Sequence, residues 1–296
     1  MEEEKQFATP ICDHMGDCPV CRMSYGFDSD LFLTSGKSSM YAKLLTALPC
    51  CSRQICSTCS YAIVATCAKM GKSPSCPFCR EIFLPKCHMG RDRYKQHLLE
   101  RCTEQDPLLL FELAELSLAD NEIEIQVAFD YFLKAAYLGH AHSMFEVGVW
   151  LKAGYSNDMV KNNKEWFFFQ AAINGHPIAR YFLGMIKVRQ ADFKSAVHHL
   201  KIASFQGVTI ATKELLTLCR YGHCSNDDCA EALRKHSEKV KEIKDEIAAK
   251  EKIRNDVKKG AIIIIGTQPQ QYIYLAQEGK DPHPSELVKL LTCLQL

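Results

Sequence analysis

The sequence predicts two unlike parts: a small, metal-stabilised α+β finger, then an all-α array of stacked helix pairs. Three observations predict it. Cysteines crowd the first third of the chain at fixed spacings, a short Ala-Ala-x-x-Gly phrase recurs farther on at intervals suited to a helical hairpin, and the two regions share almost no residue pattern.

The finger rests on Cys18-Pro-Val-Cys21, Cys56-Ser-Thr-Cys59 and Cys76-Pro-Phe-Cys79, which are Cys-x2-Cys knuckles, and on the doublet Cys50-Cys51. Of the sixteen cysteines, twelve lie at or before Cys102, far more than packing alone would use. A knuckle turns the backbone so that two thiolates face one ion, and tetrahedral Zn²⁺ takes four N or S donors at about 2.0–2.3 Å, so two knuckles make one site. Structural zinc contributes about 10–16 kcal/mol in domains too small to build an adequate apolar core. The start, Met1-Glu2-Glu3-Glu4-Lys5, is acidic and lacks the basic and apolar stretches of a signal peptide. The cysteines are therefore read as reduced thiols of an intracellular protein, cytoplasmic or nuclear, rather than as a secreted disulfide framework. The apolar run Ala261 to Ile265 stops at Gly266, far short of the roughly 18 residues of a membrane span. A formal net charge of +1 carries no electrostatic footprint for nucleic acid or an anionic membrane, which leaves protein partners.

Along the chain, residues 1–17 form a short polar tail in which Cys12 and His14 are the only candidate ligands. The finger fills 18–80. Within it a Gly/Ser-rich loop (Ser24 to Ser39) precedes Met40 to Leu48, which reads as a helical turn or a strand. Ser60 to Ala68 reads as a short helix ended by Gly71 and Pro74. Residues 81–105 are read as a basic, solvated connecting helix; Cys87, His97 and Cys102 have ligand chemistry but no clean second knuckle.

From Asp106 the period becomes helical. Lys134-Ala135-Ala136-Tyr137-Leu138-Gly139-His140 is echoed by Gln170-Ala171-Ala172-Ile173-Asn174-Gly175-His176 and, more faintly, by Lys201-Ile202-Ala203-Ser204-Phe205-Gln206-Gly207. The three glycines fall 36 and 32 residues apart, as expected for helix pairs that end on a left-handed glycine. Units open on Met144-Phe145-Glu146-Val147-Gly148 and Arg180-Tyr181-Phe182-Leu183-Gly184, whose small residues allow close helix approach. Most of the aromatics Trp166 to Phe169 are expected in the core. The array is bounded at 106–243, and 244–296 is a charged helix and tail. The helix, Glu231 to Lys259, turns Leu233, Val240, Ile243 and Ile247 to the array. Beyond Gly260, the isoleucine run and Tyr272-Ile273-Tyr274 suggest a strand pair or a docked extension, and Asp281-Pro282-His283-Pro284 a turn.

The cysteine pattern resembles the RING finger, in which the first and third ligand pairs share one zinc and the second and fourth share another. The resemblance covers about sixty residues. It implies that Cys18, Cys21, Cys56 and Cys59 hold one ion and that Cys76 and Cys79 contribute to a second. Where most RING fingers place a histidine, two positions after Cys51, this chain has Arg53, which stays protonated and binds no metal. Both Cys50 and Cys51 reaching the second ion repairs the set; the alternatives are Cys51 with a distant donor such as Cys67 or His14, or an incomplete second site. Cys67 itself reads as a packing thiol. The resemblance also implies contacts to a ubiquitin-conjugating enzyme through Val20 and Pro77, and a cationic linchpin at Arg80.

The helical region resembles the Sel1-like repeat, a relative of the tetratricopeptide repeat, with four units visible and the last degenerate. In such a solenoid, stacked units bury what one pair cannot, and a curved surface binds protein. The combination of finger and repeats is similar to a family common in diatoms and related microalgae. The cluster Cys219, His223, Cys224 and Cys229 has the chemistry of a zinc site but falls where that family has ordinary loop residues, and the loop reading is preferred over a zinc site. His198-His199 reads as a surface pair. No Walker-type loop and no His-Glu-x-x-His motif is present. Two functions follow as expectations. One is a RING-type ubiquitin ligase or ligase subunit, acting without a covalent intermediate, whose solenoid holds a protein substrate or adaptor; the other is a non-catalytic zinc-containing interaction scaffold. Two zinc ions are expected.

Overall fold

The computed structural model describes residues 18–22, 45–69, 73–82, 91–101, 105–118, 125–155, 163–259, 262–266 and 272–276. Within the finger, β1 (Leu45–Leu48) pairs antiparallel with β2 (Arg53–Cys56), Leu48 facing Arg53 and Leu45 facing Cys56. The turn between them is Pro49-Cys50-Cys51-Ser52, so the doublet sits at the tip of a hairpin. The Cys51 N–H donates to the Leu48 carbonyl at 3.2 Å, and Ser52 takes a left-handed φ of 51°. Helix α1 (Ser57–Lys69) follows β2 directly, starting three residues before the helix expected from sequence. Ala62 and Ile63 of α1 are buried, with Ile63 packing among Leu48 and Ile55.

Beyond the finger, α2 (Arg91–Arg101) is less solvated than expected. Tyr94 and Leu98 lie four apart, hence on one helix face. Both are buried against Leu109, Leu113 and Leu116 of α3 (Pro107–Ser117). Asp106 caps α3, its carboxylate accepting from the Leu108 and Leu109 N–H groups at 3.1 Å each, and Pro107 occupies the first turn, where its missing N–H costs nothing. The other oxygen of that carboxylate accepts from the Ser52 hydroxyl. The doublet turn is thereby tied to the start of the helical region.

There follow α4 (Ile125–Tyr137), α5 (Ala141–Lys152), α6 (Lys164–Ile173), α7 (Pro177–Arg189), α8 (Phe193–Phe205) and α9 (Thr209–Arg220), and each helix from α3 onward packs on its successor. The junctions repeat one turn. At Gly139, Gly175 and Gly207 φ is 95°, 88° and 92°. After each, the next N–H reaches back to Ala135, Ala171 and Ala203 at 3.0, 3.0 and 3.1 Å, satisfying carbonyls that the helix end would orphan. His140 and His176 then cap α5 and α7, their imidazoles accepting from Ser143 and Ala179 N–H groups. Phe129, Phe132, Phe145, Phe167 and Phe168 are fully buried between these helices, each stabilising by about 1.5–3 kcal/mol. Of the aromatics Trp166 to Phe169, most of them expected in the core, Phe167 and Phe168 are buried and Trp166 is exposed.

The last helix, α10 (Asn226–Lys259), is longer than expected and packs on α8 and α9, then farther along on α1 of the finger, where the Arg254 guanidinium lies 5.2 Å from the Tyr61 ring centre. Its inward residues include Cys229, Ala232 and Ile243, whereas Leu233 points to solvent. β3 (Ile262–Gly266) and β4 (Tyr272–Ala276) form an antiparallel hairpin, with β3 beside α1. Of the paired histidines in α8, His198 is exposed but His199 is 2 % exposed, so the pair spans surface and core rather than lying on the surface. Among the described residues no helix is long and apolar enough to cross a membrane.

Candidate metal centre

The structure gathers the eight cysteines expected as ligands into two groups. Cys18, Cys21, Cys56 and Cys59 form one and Cys50, Cys51, Cys76 and Cys79 the other, with the sulfurs of each group within 4.8 Å of one another. The groups alternate along the chain, the first and third pairs converging and the second and fourth likewise. Cys21 and Cys56 sulfurs are 3.8 Å apart, and Cys51 and Cys76 sulfurs 3.6 Å. Zinc–sulfur bonds of about 2.3 Å in a tetrahedron place sulfurs about 3.8 Å apart, so the spacing fits a metal of that size.

Local backbone explains the convergence. The Arg22 N–H donates to the Cys18 carbonyl at 2.7 Å and the Arg80 N–H to the Cys76 carbonyl at 3.0 Å. Both arginines take left-handed φ, 58° and 64°, so the first and last knuckles share one turn. Backbone N–H groups aim at the sulfurs: Cys56 donates to Cys18 Sγ, Cys59 to Cys56 Sγ and Phe78 to Cys76 Sγ, each at 3.4 Å. Such bonds stabilise thiolates and orient ligands.

The electrostatics also ask for a cation. Hydrogen bonds from Cys21, Cys56 and Cys59 hold the Cys18 thiol far below its usual value, while the bond to Cys18, then those to Cys21 and Cys56, with burial, push Cys59 far up. In the second group burial, then the Cys76 thiol, pushes Cys51 up to about 11. Packed sulfurs without a counter-charge resist carrying several negative charges; a coordinated divalent ion removes that resistance and deprotonates its thiols outright. The donor sets fit a thiophilic metal.

Other expected site residues fall as follows. Arg80 is exposed, Pro77 half-buried, and Val20 only 5 % exposed within the finger's core. Ile82, 68 % exposed and two residues past Arg80, is an apolar surface residue that sequence reading passed over. Cys67 is half-buried, packs against the core and belongs to neither group. Arg53 binds no sulfur group; its guanidinium stacks on Phe78, between the closing pair of cysteines. Cys12, His14, Cys87 and Cys102 lie outside the described residues, and His97 is half-buried on α2. A third sulfur group, Cys219, Cys224 and Cys229, lies at the α9–α10 junction. No protein-family model matches the chain, and no curated protein matches it.

Proposed function

We propose that the finger is a RING-like module that holds two zinc ions and docks a ubiquitin-conjugating enzyme, while α3 to α9 form a Sel1-like solenoid that holds a protein substrate or adaptor. The observation that carries this reading is the alternation of the two sulfur groups: pairs one and three converge, as do pairs two and four. Separate zinc knuckles would pair neighbours in sequence instead. The solenoid half rests on the repeated glycine turn and on each helix packing against the next.

Zinc supplies rigidity here and no reactive centre. Arg80, exposed at the closing knuckle, hydrogen-bonds the conjugating enzyme and the ubiquitin tail, and so holds the thioester in an attack-ready arrangement. Ile82 and Pro77 supply the neighbouring apolar contact. A substrate held on the solenoid raises the local concentration of acceptor lysines. An assay of ubiquitin-chain formation with a panel of conjugating enzymes tests the reading. Activity that falls sharply in Arg80→Ala and Ile82→Ala, with metal content unchanged, supports it.

One observation favours a second reading, a non-catalytic zinc-containing scaffold. Val20, which a docking face would present, is packed inside the finger. Silence across the whole panel selects the scaffold.

A further inference from the structure

Cys219 stands near the end of α9, Cys224 in the loop that follows, and Cys229 in the first turn of α10. They are spaced evenly, five residues apart, with no Cys-x2-Cys among them. Their three sulfurs lie within 4.8 Å of one another, Cys219 and Cys229 as a bonded pair and Cys224 beside it. Cys224 and Cys229 sulfurs are 3.6 Å apart, the same as Cys51 and Cys76.

Cys219 and Cys229 are paired as a disulfide, but their α-carbons are 7.0 Å apart, outside the range of about 4.4–6.8 Å that disulfides usually span. A disulfide uses two sulfurs and leaves the third, Cys224, 3.6 Å from Cys229 and outside the bond. One metal ion uses all three and bridges wider α-carbon separations. The carbonyl oxygen of Ser225 faces the same point, 3.5 Å from Cys224 Sγ and 3.9 Å from Cys219 Sγ. Cys229 lies at the N-terminal end of α10, where the helix dipole favours the thiolate. His223 does not join the group; its ring stacks on Phe193 with centres 3.7 Å apart.

We propose that Cys219, Cys224 and Cys229 form a further metal site, a three-thiolate site for a soft cation of the Zn²⁺ class, with its fourth position left to water or an external ligand. Soft thiolate donors select such ions over Mg²⁺ or Ca²⁺. A thiol reductant first converts the Cys219–Cys229 disulfide to two thiols and is itself oxidised to a disulfide; on binding, each of the three thiols then gives its proton to solvent and a sulfur lone pair to the ion. The ion ties the last turn of α9 to the first turn of α10. Because α10 runs on to pack against α1, the tie fixes the direction in which this helix reaches the finger.

The test uses the full chain, purified in reductant, saturated with Zn²⁺ alone and freed of unbound metal. Cys224→Ser and Cys229→Ser are each expected to carry about one zinc fewer per chain than the unaltered protein. Equal metal content overturns the proposal, as does a Cys219–Cys229 disulfide detected in the zinc-loaded protein. Loss of the finger's sites would lower the total in every variant and leave this difference intact, so the two failures are distinguishable. A readout free of folding defects uses the unaltered chain. Alkylation of Cys224 should be about tenfold slower with Zn²⁺ than after chelation, since a bound thiolate is not the free nucleophile. Equal rates overturn the site.

Discussion

The Arg53 guanidinium carbon lies 4.6 Å from the centre of the Phe78 ring, joining the strand after the doublet to the closing knuckle across the second sulfur group. An arginine at this position cannot ligate a metal, but a cation over an aromatic face holds two segments together without one. The arginine after the doublet thus braces the site from outside.

That brace has a measurable size. Cation–π contacts at exposed sites contribute about 0.5–1 kcal/mol, equivalent to a two- to fivefold change in an equilibrium constant. Arg53→Ala is expected to weaken metal retention at Cys50, Cys51, Cys76 and Cys79 by about that factor in a chelator competition, with Arg53→Lys intermediate. Unchanged retention in Arg53→Ala would leave the contact without a role.

Metal removal is expected to act beyond the finger. Structural zinc binding is worth about 10–16 kcal/mol, most of it folding free energy. β1, β2 and α1 have few apolar contacts to replace it. Chelation should therefore expose the amides of α1 to hydrogen exchange, followed by those of the α10 segment packed against it. Protection in α4 to α6 should persist, because Phe129, Phe132, Phe145, Phe167 and Phe168 are buried between these helices themselves. Full protection of α1 after exhaustive chelation would refute a metal-dependent finger.

The close helix approaches can be tested by adding one methyl group. A Cβ on Gly148 would stand 2.8 Å from Phe168 Cε1, and one on Gly184 would stand 2.7 Å from Leu200 Cγ. These positions are 36 residues apart and face the next helix in the same way. Overpacking costs about 1–3 kcal/mol, which the gain of roughly 0.5–1 kcal/mol from replacing helical glycine offsets only in part. Gly148→Ala and Gly184→Ala should each lower the thermal midpoint. Gly139, with φ +95° and nothing within 4 Å, separates backbone strain from crowding. A stabilised Gly184→Ala would mean that Leu200 can move aside.

Features carried by local spacing were legible in the sequence. The knuckles at Cys18, Cys56 and Cys76, the glycine turns at Gly139, Gly175 and Gly207, and the pairing of the isoleucine run with Tyr272 to Ala276 each follow from a few consecutive residues. Features that depend on which element covers a face were not. Val20 and His199 are buried by neighbours far away in sequence, and Phe78 meets Arg53 only once the doublet and last knuckle converge. The helix around Leu233 was visible as a helix and Ile243 faces inward as expected, but Leu233 itself points out, because Ala232 and Cys229, small and weakly hydrophobic, carry the contact there. Cys219, Cys224 and Cys229 are visible as a cluster in sequence but read there as loop residues, because with no Cys-x2-Cys spacing only the α9–α10 turn shows that their sulfurs meet.

Buried titratable groups of the helical region respond to pH. The Ala179 N–H donates to His176 Nδ1 at 3.2 Å, so the proton of that neutral ring sits on Nε2, 3.1 Å from His142 Nδ1. The same reasoning puts the proton of His142 on Nε2, 3.5 Å from Glu146. Burial, then the charge of Glu115, pushes Glu146 up to about 8, against a hydrogen bond from Trp150 that lowers it, so the acid is neutral in the folded chain at pH 7. Burial pushes His140 down to about 4, and burial followed by the charges of Arg180 and His198 pushes His199 down to about 3. From pH 6.5 down to these values the unfolded chain takes up protons that the folded chain refuses, so stability falls as pH drops. From pH 4.5 up to about 8 the unfolded Glu146 ionises while the folded one does not, so its contribution falls as pH rises. Among these three groups the two histidines outweigh the glutamate below pH 6.5 and the glutamate alone titrates above it, so their joint contribution peaks near pH 6.5. The change in urea midpoint on substituting them, measured from pH 5 to 8, should trace that contribution. Glu146→Gln should flatten the alkaline side, and His140→Asn, which still caps α5 but does not titrate, should soften the acid side. An alkaline fall that survives Glu146→Gln would assign it to another group.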